Sequence, residues 1–200
     1  MERIGIFGGT FDPPHLGHLV LAESARESLR LDQVLFMPAG HPPHKQDRTI
    51  SPISHRLAMV RLAIADNANF CLDDTDITRP TPHRTATLLP LLAQAMPAAR
   101  FWLLIGGDSL RDLPTWEDPH LLPRYCRLGV LPRPGATFDL DNLEQVIPGV
   151  AAAVDMIDGP AIPLSGTQIR AWVGMGRSLR YLMPASVRHY IHDHHLYTTA

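Results

Sequence analysis

The chain has 200 residues, 45% hydrophobic and 19% charged, which fits a single globular domain over residues 1–200 and not a disordered tract. Eighteen Lys and Arg against 20 Asp and Glu leave a net charge of −2, so no global basic field recruits nucleic acid or a membrane surface, and cations for a phosphate ligand must be local. Cys71 and Cys126 are too few for a disulfide scaffold or a cysteine-rich zinc site. Neither a signal-peptide pattern nor a membrane-length apolar run is present, so the expected setting is the cytoplasm.

In chain order, residues 4–7 form a short apolar run that predicts a strand. It leads into Gly8-Gly9-Thr10-Phe11-Asp12-Pro13-Pro14-His15-Leu16-Gly17-His18. Adjacent glycines past a strand let the backbone approach a ligand closely. Asp12 and the prolines predict a helix start, and a helix N-terminus offers unpaired N–H groups and a positive dipole end to phosphate. His15 and His18, three apart, share one face of that turn and can reach one anion together. A helical pattern covers 16–30, and a second strand covers 34–37. The loop Pro38-Ala39-Gly40-His41-Pro42-Pro43-His44-Lys45 follows.

Ser51-Pro52 predicts an N-cap and first position for a helix over 52–65. Residues 85–96 read as the next helix and 101–105 as a strand, followed by Gly106-Gly107-Asp108-Ser109-Leu110 and Leu113-Pro114-Thr115-Trp116. Strands are expected at 128–131 and, more weakly, at 154–157. Ser165 and Gln168 form a capping-box pattern at the head of a helix over 167–173, placing Arg170 in its first turn, and a last helix covers 184–195. Trp102 and Trp172 read as core, and His189, His192, His194 and His195 as a polar helix end without an acidic or cysteine partner at ligand spacing. Strands alternating with helices predict an α/β fold, a Rossmann-like doubly wound parallel sheet with helices on both faces. Ligands then bind beyond the carboxyl ends of the strands, where these loops lie.

The run from Gly8 to His18 lacks the spaced glycines of a dinucleotide fingerprint and the lysine of a P-loop. It resembles the GGTFDPxHxGH opening of bacterial nicotinate-nucleotide adenylyltransferases, within the HxGH nucleotidyltransferase superfamily. Residues 42–45 resemble that family's PPHK loop, residues 106–116 its GxDSL…W segment, and residues 164–170 its ISSTxIR motif. Two differences stand out. Gly166 replaces the second serine of ISSTxIR, and the SYTxxTL segment reads His83-Arg84-Thr85-Ala86-Thr87-Leu88, one residue shorter and with arginine for tyrosine.

The resemblance implies transfer of the adenylyl group of ATP to nicotinate mononucleotide, with both small molecules as the partners and Mg²⁺ carried on the triphosphate. It implies catalytic roles for His15, His18, Lys45 and Arg170. ATP would be held by Gly8, Gly9, Thr10, Phe11, His15, His18, Gly106, Asp108, Ser165, Thr167 and Arg170. The mononucleotide would be held by Gly9, Thr10, Lys45, Arg84, Thr85, Thr87 and Trp116, and no dedicated protein metal ligands are implied. Two alternatives stay open: a related adenylyl- or cytidylyltransferase with another phosphate acceptor, and a non-catalytic nucleotide-binding module. Self-association into a homo-oligomer is left open as well.

Overall fold

The computed structural model describes residues 1–40, 50–132 and 138–198. Six strands build one sheet: β1 (Glu2–Gly9), β2 (Gln33–Pro38), β3 (Phe70–Leu72), β4 (Ala99–Gly106), β5 (Cys126–Leu131) and β6 (Val154–Met156). All neighbours are parallel and the order is β3-β2-β1-β4-β5-β6. The helices are α1 (Leu16–Ser28), α2 (Ile53–Ile64), α3 (Thr75–Thr78), α4 (Thr85–Ala95), α5 (Gly107–Arg111), α6 (Leu122–Tyr125), α7 (Leu140–Val146), α8 (Val150–Ala153), α9 (Gly166–Gly174) and α10 (Ala185–Asp193).

Strands covered on both faces read as short continuous apolar runs, which is why four of the six are plain in the sequence. Side chains alternate between two cores. Phe7, Phe36, Trp102 and Leu104 pack with Ala22 of α1, Met59 of α2, Ile169 of α9 and Val187 of α10. On the other face Ile4, Ile6, Leu35 and Leu103 pack with Leu89 of α4, Leu122 of α6, Leu143 of α7 and Val150 of α8. This is the doubly wound α/β architecture expected. Trp102 is buried, and Trp172 is a partly buried member of the first core.

Two local expectations are corrected. β3 has no sequence signature, because three residues at a sheet edge are too few to show a period. Ser51 does not cap α2: Pro52 holds the N-cap position, and the Ser51 N–H is donated to Asp12. The strand order reverses between β1 and β4, so the loops leaving these two strands diverge and open a crevice.

Candidate active site

The β1–α1 loop forms one wall of that crevice. At Gly9 a Cβ would stand 2.9 Å from Cζ of Phe11, so glycine lets the ring lie over the strand end. Phe11 is buried, has φ 49°, and meets Phe7 and His18 with ring centroids 5.5 and 5.0 Å apart. Helix α1 begins at Leu16, with His15 in the N-cap position, and not at Asp12. Asp12 and Pro13 each precede a proline, which disfavours the helical region at both.

The His15 N–H donates to Nδ1 of His18 over 3.2 Å, and the two rings stack with centroids 3.7 Å apart. A His18 ring that accepts at Nδ1 keeps its proton on Nε2 when neutral. His15 is 5% exposed, its Nδ1 has no hydrogen-bond partner among the described residues, and burial lowers its pKa from 6.5 to about 4. It is a neutral ring at pH 7.

Asp12 is the hub that joins this loop to distant segments. Tyr197 donates its phenol to Oδ1 over 2.6 Å and the Ser51 N–H donates to Oδ2 over 3.2 Å. Arg170 donates from Nη1 to the Asp12 carbonyl over 2.6 Å, and the same nitrogen lies 3.9 Å from Oδ2. Ser165 caps α9 as the sequence predicts, accepting from the Gln168 N–H over 3.2 Å. Arg170 falls in the second turn of α9, not the first, and also donates to Thr167 Oγ1 over 3.3 Å. At Gly166 a Cβ would come 2.8 Å from the Asp12 carbonyl oxygen. Glycine in place of serine therefore lets the head of α9 dock against the β1–α1 loop.

The structure thus brings the head of α9, with Ser165, Thr167 and Arg170, against Asp12 of the loop that leads to His15 and to His18 in the first turn of α1. Gly106 and the first turn of α5 with Asp108 leave the end of β4, the strand beside β1. Asp108 lies 3.7 Å from Arg111. Lys45 lies outside the described residues.

A cavity of about 410 Å³ adjoins this loop. Its lining includes Gly8 and Gly9 of β1, Met37 and Ala39 at the end of β2, Ile105 of β4, Arg84, Thr85 and Trp116. Helix α4 starts at Thr85, which lines this space, and the Thr87 and Leu88 N–H groups of its first turn donate to the carbonyl of the N-cap residue Arg84. The Arg84 guanidinium forms an ion pair with Glu117, another lining residue, and is not a free cation awaiting a ligand. Thr87, expected at the acceptor, is not among the lining residues. Its Oγ1 accepts from Arg79 over 2.7 Å and donates to the carbonyls of Pro82 and Arg84. A second cavity, about 510 Å³, lies between α9 and α10, lined by the exposed Arg177 and Arg180 and by His189, His192 and His195, and none of the site residues expected from the sequence lines it.

Sequence reading missed three supports of the site. Arg56, 3% exposed, donates to the carbonyls of Thr10, Ala39 and Ser51 and so ties three loops together. Arg79 and Asp76 form a buried pair 2.6 Å apart. Arg79 also donates to the carbonyls of Pro82 and Arg84, which fixes the shortened segment before α4. Tyr197 is the third. Buried polar side chains that bind backbone carbonyls carry no local sequence pattern, and only the fold reveals them.

Among the described residues no helix is long and apolar enough to cross a membrane. The cytidylyltransferase-like family model matches residues 6–172. The chain is 45% identical over 199 residues to a probable nicotinate-nucleotide adenylyltransferase of Thermomicrobium roseum, covering 100% of this chain and 93% of that one. It is 45% identical over 200 residues to another from Synechococcus sp. strain JA-3-3Ab, covering 98% and 95%. Among solved structures, the nicotinic acid mononucleotide adenylyltransferase of Plasmodium falciparum complexed with NaAD superposes with a TM-score of 0.80 over 98% of both chains. At 18% identity that likeness shows the fold.

Proposed function

We infer that this chain, which belongs to the cytidylyltransferase-like family and within it to the nicotinate-nucleotide adenylyltransferases, transfers the adenylyl group of ATP to nicotinate mononucleotide. The products are nicotinate adenine dinucleotide and pyrophosphate, a step of NAD biosynthesis. The observation that carries the reading is the double position of Gly8 and Gly9. They end the strand that feeds the His15–His18 loop, and they also line the cavity against Trp116 and the head of α4. Two ligands, one at the loop and one in the cavity, would meet at Gly9.

The chemistry needs no covalent intermediate, because the acceptor phosphate is already a nucleophile at neutral pH. An oxygen of that phosphate attacks the α-phosphorus of ATP, the bond from the α-phosphorus to the bridging oxygen breaks, and pyrophosphate leaves with the electron pair. Catalysis is then positioning and charge stabilisation. His18, with its proton on Nε2, donates to an α-phosphate oxygen as charge builds there. His15 holds the neighbouring phosphates, and the backbone N–H groups of Gly9, Thr10 and Phe11 support the same anion. Arg170 spends one N–H on Asp12 and one on Thr167, and its remaining N–H groups and its charge serve the leaving pyrophosphate with Lys45. Asp108, Gly106, Ser165 and Thr167 hold the rest of the nucleotide. In the cavity Trp116 stacks on the pyridine ring, and the first turn of α4 at Thr85 receives the nicotinate carboxylate.

Among the described residues no three His, Cys, Asp or Glu side chains gather to hold a metal ion. Mg²⁺ would arrive on the triphosphate, coordinated by phosphate oxygens and water. Bound in that way it supplies neutralisation of charge on the leaving group. Cys71 and Cys126 are unpaired thiols, which suits the cytoplasm.

Pyrophosphate release with ATP and a panel of acceptor phosphates tests the reading. Release that depends on nicotinate mononucleotide is expected. Release with phosphopantetheine instead, or with no acceptor in the panel, would overturn it.

A further inference from the structure

We infer that Tyr197 is a positioning residue for the nucleotide half of the site: its phenol holds the Asp12 carboxylate away from Arg170, so that the guanidinium stays available to phosphate. The inference rests on the function proposed above. The geometry begins with a buried charge. Asp12 is 4% exposed, and a carboxylate in that position needs donors or a cation.

Among the described residues Arg170 is a cation close to this carboxylate, yet its Nη1 bonds the neutral Asp12 carbonyl at 2.6 Å and stays 3.9 Å from Oδ2. The carboxylate is occupied by two other donors, Tyr197 on Oδ1 and the Ser51 N–H on Oδ2. Arg56 adds a favourable field from behind, but its N–H bonds go to backbone carbonyls. Without the phenol, Oδ1 would be a buried anionic oxygen with no donor among the described residues. Arg170, already touching the same residue, is the group that would turn to satisfy it.

Tyr197 reaches this position because the chain beyond α10 turns back on itself, with His195 at φ 49° and Tyr197 at φ 65°. The hydroxyl also lies 3.8 Å from Met59 Sδ. Burial, and after it the charge of Asp12, push the phenol pKa above its usual value, so Tyr197 remains a donor across the working pH range. Tyr197→Phe removes one oxygen and keeps the ring in its packing.

Calorimetric titration of ATP with Mg²⁺, without acceptor, tests this with wild type, Tyr197→Phe, Asp12→Asn and the double variant. The KM for nicotinate mononucleotide and thermal melts complete the set. Tyr197→Phe is expected to weaken ATP about tenfold and to leave the mononucleotide KM within about twofold. Against Asp12→Asn, whose neutral amide no longer attracts Arg170, the same change is expected to have little further effect, the sign of a shared route. Wild type that binds ATP beside a Tyr197→Phe protein of equal affinity would overturn the inference alone. Equal weakening of both substrates, in step with a lowered melt, would also overturn it, because that pattern belongs to a purely structural tyrosine. Wild type that fails to bind ATP would overturn the proposed function, and this inference with it.

Discussion

His15 and His18 lie ring on ring, 24° from parallel, and the backbone of the first holds the ring of the second. The His15 N–H occupies Nδ1 of His18, which orients the imidazole and leaves its proton on Nε2. The two histidines of the motif therefore differ in setting: one is a buried neutral ring at a helix head, the other a ring oriented through its Nδ1.

The first prediction follows from that division. His18→Ala removes one donor to developing charge, and kcat should fall by about 10²–10³ with the fold intact. Single-turnover rates with circular dichroism as the folding control check it. A variant that keeps more than about a third of the wild-type rate shows that Nε2 is not aimed at the reacting phosphate.

The second concerns stability against pH. The folded-state pKa of His15, about 4, lies below the usual 6.5, so between these values the unfolded chain binds a proton that the folded chain refuses. The contribution of His15 is intact above pH 6.5, is lost as pH falls towards 4, and totals roughly 3 kcal/mol. Urea melts of wild type and His15→Asn from pH 7.5 to 4 measure it, and the gap between the two slopes should appear in that window. Parallel curves would mean that His15 titrates normally.

The third prediction separates charge from geometry at Arg170. Lysine keeps the charge, but a single ammonium cannot hold the Asp12 carbonyl and Thr167 while also facing phosphate. Arg170→Lys should lower kcat/KM for ATP by roughly tenfold or more and leave the mononucleotide KM nearly unchanged. Steady-state kinetics with each substrate varied in turn decide it, and a change confined to the mononucleotide would place Arg170 on the wrong ligand.

The fourth concerns acid preference. Arg84 stands where the resembling family has tyrosine, and the sequence suggests an added attraction for the nicotinate carboxylate. The structure pairs it with Glu117, and both side chains are at least a third exposed, so the net pull on a ligand is small. The preference should then rest on the head of α4, and Arg84→Ala should change the ratio of kcat/KM for nicotinate and nicotinamide mononucleotides by less than about threefold. Collapse of that ratio would return the role to the guanidinium.

Much of this molecule was legible in its sequence, for a definite reason. Strands buried on both faces write themselves as apolar runs, so β1, β2, β4 and β5 stood out, and Ser165 announced α9 three residues ahead of Gln168. The glycines that end β1 and the histidines that follow form a dense local pattern because a phosphate loop is built from consecutive residues. What stayed hidden is non-local. Arg56 and Tyr197 act on carbonyls or a carboxylate far away in sequence, and Tyr197 stands 185 positions from Asp12, whereas Arg79 folds a local turn that no periodicity marks. The late start of α1 was hidden in another way: Asp12 looks like a cap, but the prolines and the Tyr197 bond give it a different use.

Product identity is the most direct test of the central claim. Wild-type protein with ATP, Mg²⁺ and nicotinate mononucleotide should yield nicotinate adenine dinucleotide and pyrophosphate in equal amounts, resolved by chromatography and confirmed by mass. His18→Ala run beside it should yield them at about 10²–10³ lower rate. Absence of the dinucleotide with a folded wild-type protein, or a faster reaction with nicotinamide mononucleotide, would contradict the assignment.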